Sequence, residues 1–235
     1  YNYYGDNVTI SGGAGNDSIY NDGGEDVTIS GGNGNDYISN WGDYDVRIDG
    51  GAGKDSITNH GWYATISSGA GNDSISNYGG YYATITSGAG NDSIYNNGNY
   101  VTISGGAGKD FISLSSYAEK NVIQFASGDG NDTIIGFNSN DTLQITKGSY
   151  KVSTKKNDVI VTVGKGKITL KDAVGQEIFI KNSKGKISTK TYSSNVADLF
   201  AEDNLSEIVA DKAVAEFENI SAEKSTQENL ITFAK

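Results

Sequence analysis

The chain has no cysteine, no proline, no methionine and a single histidine, His60. Without cysteine there are no disulfides and no thiolate metal sites, so stability has to come from packing, hydrogen bonds or an oxygen-bound metal. One histidine, in the turn "NHGWY", assembles neither a nucleophile–base triad nor a histidine-based metal centre. Basic side chains are scarce where the chain begins. Residues 1–140 carry 4 Lys/Arg against 16 Asp/Glu, residues 141–190 carry 11 against 4, and residues 191–235 carry 3 against 9. The acidic first segment excludes phosphate-backbone recognition, because nucleic-acid binding needs clustered Lys/Arg, and it favours a cationic partner. No stretch approaches the roughly 18 apolar residues of a membrane-spanning helix, and no charged-then-apolar leader opens the chain.

Glycine and a fixed period are what the chain does have. Among 235 residues, 32 are glycine, and stretches such as "GGAGNDSIY", "GGNGNDYIS" and "GGAGKDSIT" follow one another. Their aspartates are Asp17, Asp36, Asp55, Asp73, Asp92, Asp110 and Asp132, spaced by 19, 19, 18, 19, 18 and 22 residues. A period near 18 is too short for helix-pair repeats and suits one coil of a parallel β-solenoid. The opening "YNYYGDNVTI" reads as the second half of a repeat already under way, which points to a fragment of something longer.

Strand alternation assigns faces, since side chains two apart share a side. Ile19, Ile38, Ile57, Ile75 and Ile94 fall on one face with the preceding aspartate and the following asparagine. In the second half-coil Val27 and Ile29, or Ala64 and Ile66, point inward while Thr28 and Thr65 point outward. The core is thus expected to be a thin double row of Ile and Val/Ala. Asn21, Asn40, Asn59, Asn77 and Asn96 recur at one position, the pattern of an amide ladder running from coil to coil.

This pattern closely resembles the RTX nonapeptide family, G-G-x-G-x-D-x-U-x, a calcium-binding parallel β-helix. Residues 12–20, 31–39, 50–58 and 105–113 match in full, while 68–76, 87–95 and 127–135 have Ser for the first Gly. The resemblance implies an all-β, right-handed parallel β-roll. It also implies that each six-residue turn offers its aspartate and its backbone carbonyls to Ca²⁺ shared between successive coils. The candidate metal residues are the seven aspartates with Gly13 and Gly15, Gly32 and Gly34, Gly51 and Gly53, Gly69 and Gly71, Gly88 and Gly90, Gly106 and Gly108, and Gly128 and Gly130. Val8, Val27, Val46, Ala64, Ala83 and Val101 take the aspartate position in the second half-coil, so calcium is expected along one edge only, as about four to six ions. Aspartates stacked about 4.8 Å apart repel by roughly 3 kcal/mol per pair at an effective dielectric of about 20. The metal-free repeat is therefore expected to be disordered.

Beyond residue 137 the alternating stretches "DTLQIT", "KVSTKKNDVIVTV", "GKGKITLKD" and "EIFIKNSKGKIS" read as an antiparallel β cap over 138–192. Leu205, Ile208, Val209, Lys212, Ala213, Phe217 and Ile220 lie near helical spacing, so 193–235 reads as an acidic helical tail. That tail looks like the uncleaved signal of RTX proteins exported by type I secretion, which implies a secreted or cell-surface protein whose partner is the secretion machinery. The equivalent ladder of carboxylates lacks the asymmetric pair that glycoside hydrolysis requires, so this segment itself reads as a non-enzyme. A preceding region could be an exported enzyme or toxin. The competing reading is an adhesin. Tyr44, Trp62, Tyr63, Tyr78, Tyr81, Tyr82 and Tyr100 crowd the edge opposite the aspartates, where a surface glycan could bind.

Overall fold

Each half-coil contributes one short strand, and a strand that buries a single isoleucine cannot be stable alone. In the computed structural model, which describes residues 1–42 and 44–193, these strands stack into two parallel sheets of a β-solenoid of about eight coils. The first sheet runs from Asn2–Tyr3 through Ser18–Asp22, Tyr37–Asn40, Ser56–Asn59, Ser74–Asn77 and Ser93–Asn96 to Phe111–Leu114 and Asn131–Ile135. The second runs from Thr9–Ala14 through Thr28–Asn33, Arg47–Ala52, Thr65–Ala70, Thr84–Gly90 and Thr102–Gly108 to Val122–Ala126 and Thr142–Lys147. The sequence period sets the register directly. Ile19 pairs with Ile38, Ile38 with Ile57, and Ile85 with Ile103.

The expected double row is the core. Ile38, Ile57, Ile75 and Ile94 from one sheet and Ile29, Ile48, Ile66 and Ile85 from the other are all buried in one continuous cluster with Val27, Val46, Ala64 and Ala83. Each isoleucine contributes about 1.5–3 kcal/mol on burial. Because the neighbouring coils complete each burial, the energy belongs to the stack rather than to the coil.

Residues 138–192 are more closely joined to the stack than their alternation suggests. Tyr1–Ser193 form one compact unit. Thr142–Lys147 continues the second sheet in parallel and is followed, again in parallel, by Glu177–Lys181; Gly166–Leu170 pairs in parallel with Asn131–Ile135. Antiparallel pairing is confined to the hairpins Tyr150–Lys155 with Asp158–Val163, Asp158–Val163 with Gly166–Leu170, and Glu177–Lys181 with Ile187–Thr191. The KKND, GKGK and NSKGK turns disclose those hairpins, but an alternating pattern does not disclose the direction of the partner strand. Phe125, Phe137 and Leu143 fill the end of the core with larger side chains. Each sheet then ends on an edge strand bearing exposed lysines, Lys151 and Lys155 on one and Lys190 on the other, which discourage further strand addition. The expected helical tail lies outside the described residues.

Candidate metal edge

The seven motif turns line one edge of the solenoid. Asp36, Asp55, Asp73, Asp92, Asp110 and Asp132 are buried and Asp17, in the first motif turn, is half-buried. All but Asp17 accept a bond from the coil before them. The Asp17 backbone N–H donates to Asp36 Oδ1 at 2.8 Å, and the same bond recurs from Asp36 to Asp55, Asp55 to Asp73, Asp73 to Asp92, Asp92 to Asp110 and Asp110 to Asp132, at 2.8–3.0 Å. One carboxylate oxygen is thereby satisfied. The other is not: Oδ2 of Asp17, Asp36, Asp55, Asp73, Asp92 and Asp110 is buried without a hydrogen-bond partner. An orphaned buried carboxylate oxygen costs about 1–3 kcal/mol or more, so six in a row demand a counter-charge or a proton.

The surroundings of these oxygens are oxygens. A methyl built on Gly12 would sit 2.6 Å from Asp17 Oδ2 and 2.7 Å from the Gly31 carbonyl oxygen; on Gly50 it would sit 2.7 Å from both Asp55 Oδ2 and the Ser68 carbonyl oxygen. The small space beside the first glycine of a motif is thus bounded by a carboxylate and a carbonyl of the next coil, at separations close to the about 2.3–2.6 Å of calcium–oxygen contacts. Among the described residues no three His, Cys, Asp or Glu side chains converge on one point. A cation on this edge therefore takes much of its coordination from backbone carbonyls, which suits a hard ion. In three coils serine replaces the first glycine, and in two of them the Ser68 and Ser87 hydroxyls donate to the carbonyl oxygens of Ser87 and Gly105 at 2.9 and 2.7 Å.

The glycines predicted as part of the site stand in two columns, all at positive φ. At Gly51, φ is 104°, and a side chain would collide with the carbonyl of Gly32; at Gly53, φ is 133°, with the carbonyl of Gly34 in the way. These are close backbone approaches between coils, and they hold the carbonyls of each turn against the next.

Burial shifts four of these carboxyls upward. It raises Asp55 and Asp92, and it pushes Asp110 to about 6 and Asp132 to about 7; in the last two, neighbouring carboxylates, Asp129 included, act in the same direction. Sequence reasoning missed Asp129, which occupies the third position of the last turn and whose Oδ2 accepts the Ala126 N–H at 2.6 Å.

On the opposite edge the asparagine ladder closes as expected. Nδ2 of Asn21, Asn40, Asn59 and Asn77 donates to Oδ1 of Asn40, Asn59, Asn77 and Asn96 at 2.7–2.8 Å. Asn2 extends it at one end; at the other Asn121, from the neighbouring column, accepts from Asn96 at 3.4 Å. Asp141 ends this edge. It lies in the "GFNSND" turn, a worn copy of the motif that sequence reasoning passed over, and its Oδ1 takes the Asn121 N–H at 2.9 Å as the motif aspartates do. Its Oδ2 is satisfied within its own turn by the Asn138 N–H at 3.1 Å.

The fold and the edge together define a parallel β-solenoid with an acceptor-only carboxylate ladder. Comparison with protein families agrees in particular. The description "RTX calcium-binding nonapeptide repeat (4 copies)" matches residues 4–27, 23–46, 78–98, 100–116 and 125–144, and the chain carries RTX calcium-binding repeats. No curated protein matches the chain. Among solved structures, the crystal structure of the extracellular lipase LipA from Serratia marcescens is similar at 18% identity with a TM-score of 0.35, over 73% of this chain. The chain spans 38% of that lipase.

Proposed function

We propose that this chain is a calcium-dependent folding module of a secreted protein, in which Ca²⁺ bridges adjacent coils along the aspartate edge. The observation that supports this most strongly is the row of six buried, unpartnered Oδ2 atoms. Asp17, Asp36, Asp55, Asp73, Asp92, Asp110 and Asp132, with the carbonyls of the glycine turns, would hold the ions, about four to six in number. Bound metal supplies positive charge between carboxylates that otherwise repel, so binding free energy becomes folding free energy. In calcium-poor cytosol the chain stays extended and fit for translocation. In calcium at the roughly 10⁻⁴–10⁻³ M that suits extracellular modules it folds, with the acidic 193–235 segment addressing the type I export machinery. Catalytic or lytic activity, on this reading, belongs to another part of the parent protein.

Small-angle scattering tests the coupling. In EDTA at neutral pH the radius of gyration should rise toward the roughly 50 Å of an unfolded chain of this length, collapse on addition of Ca²⁺, and stay expanded in equimolar Mg²⁺. A compact particle in EDTA would defeat the proposal.

A further inference from the structure

The edge opposite the aspartates carries aromatic columns that calcium binding does not use. Trp41, His60 and Tyr78 stack with centroids 3.7 and 5.2 Å apart and planes within 15°. Tyr63, Tyr82 and Tyr100 stack at 5.2 and 4.9 Å, within 14°. In both columns ring faces cover one another, which supports the stack itself. The column between them differs. Tyr44 meets Trp62 at 83° and Trp62 meets Tyr81 at 61°, so successive rings cannot both lie flat on their neighbours and ring faces stay uncovered.

Between this column and the Trp41–His60 pair lies a groove of about 270 Å³ lined by Trp41, Gly42, Tyr44, His60 and Trp62. Its floor has to be glycine, because a methyl on Gly42 would press on the ladder amides of Asn21 and Asn40. The volume falls just under the about 300–1,000 Å³ of pockets for drug-sized ligands, room for a single ring. The walls are aromatic and the rim is polar. Trp62 is 44% exposed, and its indole N–H has no protein acceptor among the described residues. Burial lowers the pKa of His60 and so favours its neutral imidazole, which can donate and accept. The preceding coil places Asp22, Glu25 and Asp26 in the same columns, which opposes any anion. A ligand suited to this groove is uncharged, apolar on its ring faces, hydrogen-bonding at its rim, and repetitive along the axis as the coils are.

We propose that the groove binds one ring of a neutral carbohydrate chain laid along the stack. Trp41 and Trp62 are the only tryptophans of the sequence, so tryptophan emission, excited selectively over tyrosine, reports this groove alone. The whole chain in saturating Ca²⁺ is titrated with cellohexaose, chitohexaose and maltohexaose, the far-UV spectrum being recorded on the same sample to establish that it is folded. The expected result is a saturable emission change with at least one hexasaccharide. Trp62→Ala should weaken it about tenfold, equivalent to ~1.4 kcal/mol, and Tyr100→Ala, at the far column, should leave it unchanged. If Trp62→Ala does not fold, the unsubstituted titration decides alone. A folded chain that responds to none of the three, or that responds instead to tetramethylammonium or dextran sulfate, overturns the proposal.

Discussion

The two edges of the solenoid carry the same device built from side chains one atom apart. Along one, asparagine amides pass a hydrogen bond from coil to coil, each group both donating and accepting, and every link closes. Along the other, aspartates occupy an equivalent repeating position, but a carboxylate only accepts. One oxygen takes a backbone N–H and the other is left buried and unpaired. The amide edge is complete by itself; the carboxylate edge is complete only with a cation or a proton. Asp141 sharpens the contrast, because a motif-like aspartate whose second oxygen is satisfied by its own turn makes no such demand.

The largest effect is expected where the backbones of successive coils approach most closely. Gly51→Ala places a methyl against the Gly32 carbonyl at positive φ, and should cost at least about 3 kcal/mol, seen as a collapse of the melting temperature even in excess calcium.

Next comes pH, in the absence of calcium. The folded-state pKa values of Asp110, Asp132 and Asp141, at about 6, 7 and 6, lie above the unfolded value of 3.8. The folded chain therefore holds more protons than the unfolded one between roughly pH 4 and 7, and its stability falls as pH rises through that window. Calcium-free protein should be more ordered at pH 4 than at pH 8, read from far-UV dichroism. Calcium, displaced by protons, should reverse that slope.

Exchanging the edges' chemistry comes third. Asn59→Asp removes the amide that donates to Asn77 Oδ1 and to the Gly61 carbonyl and should cost about 2 kcal/mol in calcium, measured by thermal melting. The converse change, Asp55→Asn, should have the smallest effect and two signs. Calcium-free stability should rise by about 1 kcal/mol as a charge is lost, while the calcium midpoint moves upward.

Much of this was legible in the sequence because a strict period fixes register. The aspartate, glycine, asparagine and isoleucine columns follow once one coil is aligned, and the one-sided site follows from Val27, Val46, Ala64 and Ala83 opposite. What escaped depends on breaks in the period. Asn121 reaches the ladder from a different column because Leu114 has taken the asparagine place. The left-handed conformation of Tyr63, Tyr82 and Tyr100 has no compositional signal, since tyrosine does not favour it. The parallel continuation past residue 137 was hidden because hairpin turns and alternating strands look alike in either direction.

The central claim is that the carboxylate edge, unlike the amide edge, needs calcium to close once its carboxyls are ionised. Its most direct test is far-UV circular dichroism of the whole chain at pH 8, from EDTA through a calcium titration with magnesium as control. The account predicts a disordered spectrum that converts cooperatively to β structure near 10⁻⁴–10⁻³ M calcium and does not respond to magnesium. A β spectrum already present in EDTA and unchanged by calcium would contradict it.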